Sequence, residues 1–325
     1  MPDTAAPAVQ SPAVTSIGDL PPQTAAAPAN EAQARARFFN TGNAFNVILP
    51  PVPDMAFTDE PARAFAKQTP TGLVACDVSD QMQCPFPATS PFVLAYYGKI
   101  KGGETLTTDF TTTGVVGYVI QGLGTLTCGE ESVNWGPGDL FVLPGGFTHT
   151  YTADKDDAVL WLVTNEPQLA FENLRAPAPG TAPTGVVHYP AAEIERQIGI
   201  IDSVGRNEEE AGSALIFSSD TNEASRNALP TLTVAMNYLP PGVTQRPHRH
   251  NSVVVSLVIR GENCFSTIDG KRKDWSPWCT TITPPVSVHS HSNHGGERAM
   301  FLIIQDGGLY YHGRTMGFEF TEHPE

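Results

Sequence analysis

An all-β fold made of two similar barrels is the architecture that the sequence predicts. Gly and Pro each occur 29 times among 325 residues and only 16% of residues are charged, a balance typical of short strands joined by turns. Strand-like apolar runs broken by Gly and Pro begin near residue 92 and begin again near residue 229. The length exceeds the usual size of a single core and favours two domains.

The two strand-rich stretches share an internal spacing. In the first, Gly122 is followed after 13 residues by Trp135 and after 27 residues by His149. In the second, Gly261 stands 28 residues before His289, and a tryptophan again lies between them. One inserted residue reconciles the two patterns. Duplication of one small barrel is the natural explanation.

Composition divides the rest of the chain. Ala, Pro, Ser and Thr dominate the first 30 residues, which contain too few large apolar groups to offset the entropy of ordering. Short helices are predicted over 31–39 and 58–67, and the run AAEIERQI predicts a third. The predicted segments are a disordered tail over 1–30, a helical N-terminal extension over 31–90, an N-terminal barrel over 91–168, a linker over 169–228 and a C-terminal barrel over 229–325.

Charge and hydropathy exclude several classes of partner. The net charge is −15 and no Lys/Arg cluster interrupts the acidic background, which disfavours nucleic acid and anionic membrane surfaces. No apolar run approaches the roughly 20 residues that span a bilayer, and the first residues lack the basic start and apolar stretch of a signal peptide. The five cysteines form no C-x-x-C pair, which disfavours a disulfide framework and thiolate-bound zinc. A cytoplasmic protein is expected.

Three histidines of the second stretch have the spacing of a metal site. His248 and His250, in PHRH, stand two residues apart, so an extended chain points both imidazoles to the same face. His289 follows 39 residues after His250, at the end of another strand-like run, and a barrel can bring it to the same point. Three neutral imidazoles suit a first-row divalent metal. The sequence therefore predicts a metal site in the C-terminal barrel.

The runs RPHRHNSVVVSLVIRG and TPPVSVHSHSN resemble the two motifs of the cupin family. The general cupin pattern places a Glu four or five residues after the second His, where this sequence has Val254 and Val255. A three-His set without a carboxylate, the 39-residue spacing and the doublet His289 and His291 are similar to the ring-cleaving bicupins that resemble gentisate and salicylate 1,2-dioxygenases. The resemblance spans roughly residues 90–325.

This resemblance implies a fold, a cofactor and a reaction. The fold would be two cupin barrels, each a double-stranded β-helix of the jelly-roll type, with short flanking helices. The implied activity is an Fe(II)-dependent dioxygenase that inserts both atoms of O2 into a small aromatic substrate, such as a substituted salicylate, gentisate or hydroquinone. Bicupins of this kind commonly associate, so a homo-oligomer is compatible with the resemblance. The alternatives are a metal-dependent non-oxidative enzyme (isomerase, lyase or decarboxylase) and a module that binds a small acid.

The resemblance also points to residues around the metal. By motif position His291 resembles a histidine that exchanges protons beside the ligands, and Asp306, in IIQDGG, resembles an acidic residue of the substrate pocket. Gln305 precedes that residue and is a weaker candidate for substrate binding. We expect His291 and Asp306 to be catalytic.

One position departs from these enzymes. They resemble one another in carrying an Arg six residues after the second metal His, where this sequence has Ser256. Arg can hold a carboxylate through two parallel hydrogen bonds, and Ser cannot replace its charge. Either the substrate lacks a carboxylate in that orientation, or another base supplies the charge, with Arg246, Arg249 and Arg314 as candidates.

The first barrel lacks a complete metal site. Alignment on Gly122 places Asp109 and Thr111 where the second barrel has His248 and His250. Only His149 remains of the triad. We therefore predict that His149 is a buried, hydrogen-bonded residue and that the N-terminal barrel is structural.

Overall fold

A computed structural model describes residues 14–204 and 212–322. Contacts divide the chain into two units, Met1–Pro50 and Pro51–Glu325. In the first unit a 3-10 turn covers Ile17–Asp19 and a helix covers Glu31–Arg35. The tail predicted over 1–30 lies partly outside the described residues. The helix predicted over 31–39 is shorter than expected because Ala36 adopts an extended backbone.

Helices are few and short in the described residues. Their bounds are α1 Glu31–Arg35, α2 Asp59–Phe65, α3 Ser79–Met82, α4 Glu166–Glu172, α5 Ala191–Val204 and α6 Gly307–Gly313, with a second 3-10 turn over Asp220–Asn222. The linker therefore contains the predicted helix, which extends beyond AAEIERQI. None of the described helices is long and apolar enough to cross a membrane.

Strands make up most of the second unit. The first eleven are β1 Ala56–Phe57, β2 Gly72–Cys76, β3 Leu94–Ile100, β4 Thr105–Thr108, β5 Gly114–Gln121, β6 Gly124–Cys128, β7 Glu131–Trp135, β8 Leu140–Pro144, β9 His149–Ala153, β10 Ala158–Thr164 and β11 Val187–Tyr189. The others are β12 Ser213–Phe217, β13 Thr233–Leu239, β14 His248–His250, β15 Val254–Arg260, β16 Cys264–Ile268, β17 Lys271–Asp274, β18 Thr280–Thr283, β19 His289–Asn293, β20 Ala299–Gln305 and β21 Phe318–Phe320.

These strands form two antiparallel barrels, each made of two sheets. The N-terminal barrel combines a six-stranded sheet, in the order β11-β8-β5-β10-β3-β2, with a four-stranded sheet, β4-β9-β6-β7. The C-terminal barrel combines β1-β18-β15-β20-β13-β12 with β17-β16-β19-β14-β21. The predicted all-β architecture of two jelly-roll barrels is confirmed.

The segment predicted as a helical extension over 31–90 contributes strands as well as helices. β2 extends the large sheet of the N-terminal barrel beside β3. β1 crosses to the other barrel and pairs with β18, where Phe57 lies opposite Thr280. The backbone groups of both segments are satisfied by an existing sheet edge, a pairing partner distant in sequence that local pattern does not reveal. The boundaries of the five segments stay a prediction.

The two barrels pack through their six-stranded sheets. One apolar cluster contains Val116 and Val163 from the first barrel and Leu257 and Leu302 from the second. At its centre Trp161 is fully buried and its indole N–H donates to Thr280 Oγ1 at 2.9 Å. Because one face of each large sheet is buried against the other barrel, the barrels share a core.

Replacing Trp161 with Phe tests this shared core. The change removes one hydrogen bond across the interface and part of the ring volume, so we expect the free energy of unfolding to fall by roughly 1–3 kcal/mol. Trp135→Phe is the matched control, because Trp135 is also buried but its indole nitrogen has no partner. Denaturant unfolding measures both. An equal loss from the two variants would contradict a specific contribution from the Trp161 hydrogen bond.

Candidate metal centre

Two strands of the C-terminal barrel carry the three predicted metal ligands. β14 begins with His248 and ends with His250, and β19 begins with His289. His248 and His289 face each other in the antiparallel register of these strands. All three side chains are buried, while Arg249 between them is exposed. The alternation of the strand thus points both β14 imidazoles into the barrel, as the spacing predicted.

The three imidazoles converge on one point. One potential ligand atom from each lies within 4.8 Å of the other two. The ring centroid of His289 is 4.3 Å from that of His248 and 4.9 Å from that of His250. Within the described part of the chain this is the one cluster of three or more His, Cys, Asp or Glu side chains with such geometry.

Backbone carbonyls fix the tautomer of each ligand. Nδ1 of His248 lies 2.9 Å from the carbonyl oxygen of Arg246, and Nδ1 of His289 lies 2.9 Å from that of Ser287. Nδ1 of His250 lies 3.0 Å from the carbonyl oxygen of Ser252. A carbonyl can only accept, so each Nδ1 carries the proton and each Nε2 keeps a free lone pair. This is the arrangement of histidines that bind a metal through Nε2, so the residues fit a metal ion.

Burial keeps these imidazoles neutral. It lowers the pKa of His250 to about 4 and that of His289 to about 2, and the neighbouring His248 lowers both further. The pKa of His248 is also lowered by burial. Neutral imidazoles are the form that binds metals, so the site is ready to accept a cation at neutral pH.

A cavity of about 380 Å³ opens onto the metal ligands. Its size suits one aromatic ring with substituents. Apolar walls come from Met316 and from Phe318 of β21, whose ring centroid is 5.3 Å from that of His248. The described residues that line it are Gly212, Ala214, Asn237, Gln245, His248, His250, Ser252, Gln305, Tyr311, Met316 and Phe318.

The predicted catalytic residues lie close to the ligands but do not line this cavity. His291 is buried behind the triad, with its ring centroid 6.0 Å from that of His289 and 4.6 Å from that of Phe301. Ser266 Oγ lies 2.8 Å from Nδ1 of His291 and accepts the indole N–H of Trp275 at 2.8 Å. Burial lowers the pKa of His291 to about 3, and its imidazole is neutral.

Asp306 is 1% exposed at the start of α6. Its Oδ1 accepts the backbone N–H of Val253 at 2.9 Å, three residues after His250, and its Oδ2 has no partner. Burial raises the pKa of Asp306 to about 7. The carboxyl group therefore connects the end of β20 to the turn that follows β14.

Of the candidate substrate residues, Gln305 lies nearest the triad. It lines the cavity, and its Nε2 lies 3.5 Å from Nε2 of His250. Ser256 is buried in β15 opposite Ile303 and is not among the described residues that line the cavity.

The three candidate arginines lie away from the cavity. The guanidinium of Arg246 stacks 3.6 Å over the Phe320 ring and donates to the carbonyl of Glu322. Arg249 pairs with Glu319 on the outer face of β14. Arg314 has a left-handed backbone and donates to the carbonyl of His312, beside a neighbouring cavity of about 440 Å³. Their side chains are on other surfaces because strand alternation and the turn after α6 direct them there.

Sequence reasoning missed Asn237, Gln245 and Ser252 among the cavity residues. Asn237 is a polar residue in the otherwise apolar run TVAMNYL, a signal that could have identified it. Gln245 stands three residues before His248, in a stretch without a recognisable pattern.

The N-terminal barrel retains one histidine of the triad. His149 begins β9 as His289 begins β19, but its partner in the register is Thr108. Two residues further on, Phe110 takes the place of His250, so the alignment on Asp109 and Thr111 was wrong by one residue. The slip moves those two side chains to the other face. His149 is 1% exposed, and its Nε2 lies 2.9 Å from the carbonyl of Pro144.

Solved structures share this architecture. Salicylate 1,2-dioxygenase from Pseudaminobacter salicylatoxidans superimposes with a TM-score of 0.70 over 85% of this chain and 91% of that chain, at 14% identity. The same enzyme with gentisate bound gives a TM-score of 0.70 over 86% of this chain and 88% of that one, at 12% identity. The chain is a bicupin. At these identities the likeness establishes the bicupin fold alone.

Sequence relatives agree with the resemblance seen in the motifs. A gentisate 1,2-dioxygenase from Ralstonia sp. is 30% identical over 24% of this bicupin, and a 5-aminosalicylate 1,2-dioxygenase from Comamonas sp. is 33% identical over 24%. The matches span 22% and 26% of those proteins, about a quarter of their length. The model of the AraC-like ligand binding domain matches residues 108–216. The predicted resemblance to gentisate and salicylate 1,2-dioxygenases is confirmed.

Proposed function

We propose that this bicupin is an Fe(II)-dependent dioxygenase that opens an oxygenated aromatic ring of the salicylate, gentisate or hydroquinone type and inserts both atoms of O2. The observation that carries the proposal is the triad of His248, His250 and His289, which has no carboxylate among its members and opens on a cavity of about 380 Å³. The printed names of its sequence relatives support the same class of reaction.

The composition of the ligand set favours oxygen chemistry. Three protein ligands leave up to three positions of an octahedral ion free, enough for two substrate oxygens and O2 side by side. Redox-silent Zn²⁺ would accept the same imidazoles but could not pass electrons. When bound, Fe(II) would hold the substrate and O2 together and allow electrons of the ring to reach oxygen.

The chain itself would orient the substrate and limit access of water. Met316 and Phe318 offer apolar contacts to the faces of a ring, while Gln305 lies 3.5 Å from a metal ligand and can hydrogen-bond a substituent. Holding the ring in one orientation converts the attack on a ring carbon into a positioned step. Tyr311, 60% exposed, stands at the mouth of the cavity.

His291 and Asp306 are proposed to support this chemistry. His291 is neutral and lies beside the triad, with Ser266 as its hydrogen-bond partner, so it can take up a proton close to the ligands. Asp306 would act through the backbone of Val253, by holding the turn that carries the carbonyl partner of His250. We keep Arg246, Arg314 and Ser256 as weaker candidates, since each lies off the cavity lining.

Anaerobic loading with Fe(II), followed by oxygen uptake on a panel of salicylates, gentisate and hydroquinones, tests the proposal. We expect stoichiometric consumption of O2 with loss of the aromatic absorbance for at least one member of the panel. Protein loaded with Zn²⁺ is the control and should consume none.

A full complement of iron without oxygen uptake on any member would contradict the proposal. Conversion of substrate without O2 would instead indicate the non-oxidative reading, as an isomerase, lyase or decarboxylase.

A further inference from the structure

Two amide side chains line the metal cavity with acceptors that have no partner. Gln245 is 8% exposed, and its Oε1 is buried without a hydrogen bond. Asn237 Oδ1 is buried and unpaired as well. Leaving such acceptors unpaired costs stability, and few native proteins keep them without a reason. Both line the same cavity as His248 and His250, so a ligand bound there would meet both oxygens.

The fold directs both amides toward the site. On β13, Asn237 alternates with Met236 and Tyr238, which belong to the core between the barrels, so its side chain points to the interior of the C-terminal barrel. The backbone N–H of Gln245 donates to the carbonyl of His291 at 2.8 Å, which fixes the approach to β14. These acceptors are therefore held on rigid elements rather than on a loop.

The cavity is uncharged where it can be described. None of its described lining residues is Lys, Arg, Asp or Glu. A carboxylate entering it would lose hydration without a cation among those residues to compensate, which is costly. A hydroxyl or amino group would instead lose hydration to an amide acceptor and recover a hydrogen bond.

We propose that Gln245 and Asn237 select the substrate, by accepting hydrogen bonds from an uncharged hydroxyl or amino substituent on the ring. The proposal rests on the function proposed above and narrows it: the preferred substrates are hydroquinones and aminophenols rather than carboxylated rings. It also explains the serine at position 256, because a substrate without a carboxylate does not require a cation there.

A neighbouring cavity of about 360 Å³ gives the competing outcome. It shares Asn237, Gln305 and Tyr311 with the metal cavity and is also lined by the exposed Arg226. If a substrate carboxylate extended into this space, Arg226 would hold it. Substitution of this arginine by Gln therefore separates the two classes of substrate.

Calorimetric titration of the Zn²⁺-loaded protein measures selection without turnover. The probes are hydroquinone and 4-aminophenol, which carry a donor, 4-methylphenol, in which a methyl group of similar size replaces it, and gentisate. We expect the donors to bind about tenfold more tightly than 4-methylphenol, because the apolar group leaves both acceptors unpaired. Tighter binding of gentisate than of hydroquinone, lost in Arg226→Gln, would overturn the proposal.

Gln245→Met and Asn237→Leu remove the acceptors with little change in volume. Each should bring the ratio of hydroquinone to 4-methylphenol affinity toward one, whereas Gln121→Met, an exposed amide on the other barrel, should leave it unchanged. An unchanged ratio in both cavity variants would overturn the proposal. The comparison of probes on the unmodified protein remains decisive if either variant fails to fold.

Oxygen uptake on the same probes, with Fe(II), distinguishes the two proposals. Uptake that does not discriminate hydroquinone from 4-methylphenol would overturn the selection by amides and leave the dioxygenase proposal intact. Selective binding without uptake on any aromatic compound would overturn the dioxygenase proposal and leave the ligand class as inferred.

Discussion

His289→Ala should abolish both metal retention and activity. The change removes one of three ligands and leaves His248 and His250, whose two lone pairs hold a divalent ion far more weakly. Loss of a residue that merely orients a ligand already lowers metal affinity by about 10–100-fold, so loss of the ligand itself should exceed that range. Metal content per chain after gel filtration and oxygen uptake after reloading with Fe(II) measure the two losses.

His149→Ala is the matched control. His149 begins the equivalent strand of the N-terminal barrel and is equally buried, but Thr108 and Phe110 stand where the other ligands would be. We expect this variant to lose some stability from the vacated space and to keep its metal and its activity. Equal loss of metal from both variants would refute the assignment of a single site to the C-terminal barrel.

Asp306→Asn should remove a pH dependence from the stability of the protein. Burial raises the pKa of Asp306 to about 7 from an ordinary value of 3.8, so the folded protein holds this proton more tightly than the unfolded chain. Stability from this group is therefore fully present below about pH 4 and lost as the pH rises to about 7. The loss is on the order of 4 kcal/mol. Asparagine keeps the acceptor for Val253 and cannot ionise.

Denaturant unfolding of the chelated protein at pH 5 and pH 8 measures this effect. Relative to the unmodified protein, the variant should gain stability on going from pH 5 to pH 8, and the histidines cancel in the comparison. Asp80→Asn, at an exposed position, should show no such gain. The same difference between unmodified protein and Asp306→Asn at both pH values would contradict an Asp306 carboxyl group that is protonated by burial.

The metal ligands could be predicted because their chemistry is written into short patterns. His248 and His250 lie two residues apart in a strand, and a period of two places both on one face without reference to the rest of the fold. His289 was predictable through the repeat, since duplicated barrels end equivalent turns at equivalent positions. Charge and hydropathy likewise limited the classes of partner before any coordinates.

The register of the first barrel could not be predicted to one residue. Counting from Gly122 carried the single inserted residue into the wrong position and selected Asp109 instead of Thr108. A pairing of β4 with β9 sets the register through hydrogen bonds between strands that are 41 residues apart at their facing pair, Thr108 and His149. Such pairing depends on the length and shape of the connecting turns, which a residue count does not contain.

The sequence by itself determined the all-β class, the duplication and the identity of the three imidazoles, since each depends on spacing within a strand or between copies. Only the tertiary structure decided which side chains share the cavity with them. Asn237 and Gln245 reach it, whereas Arg246, Arg249 and Arg314 face other surfaces. A cavity wall is assembled from strands far apart in the chain, and its composition follows from how the sheets twist and close rather than from any local pattern.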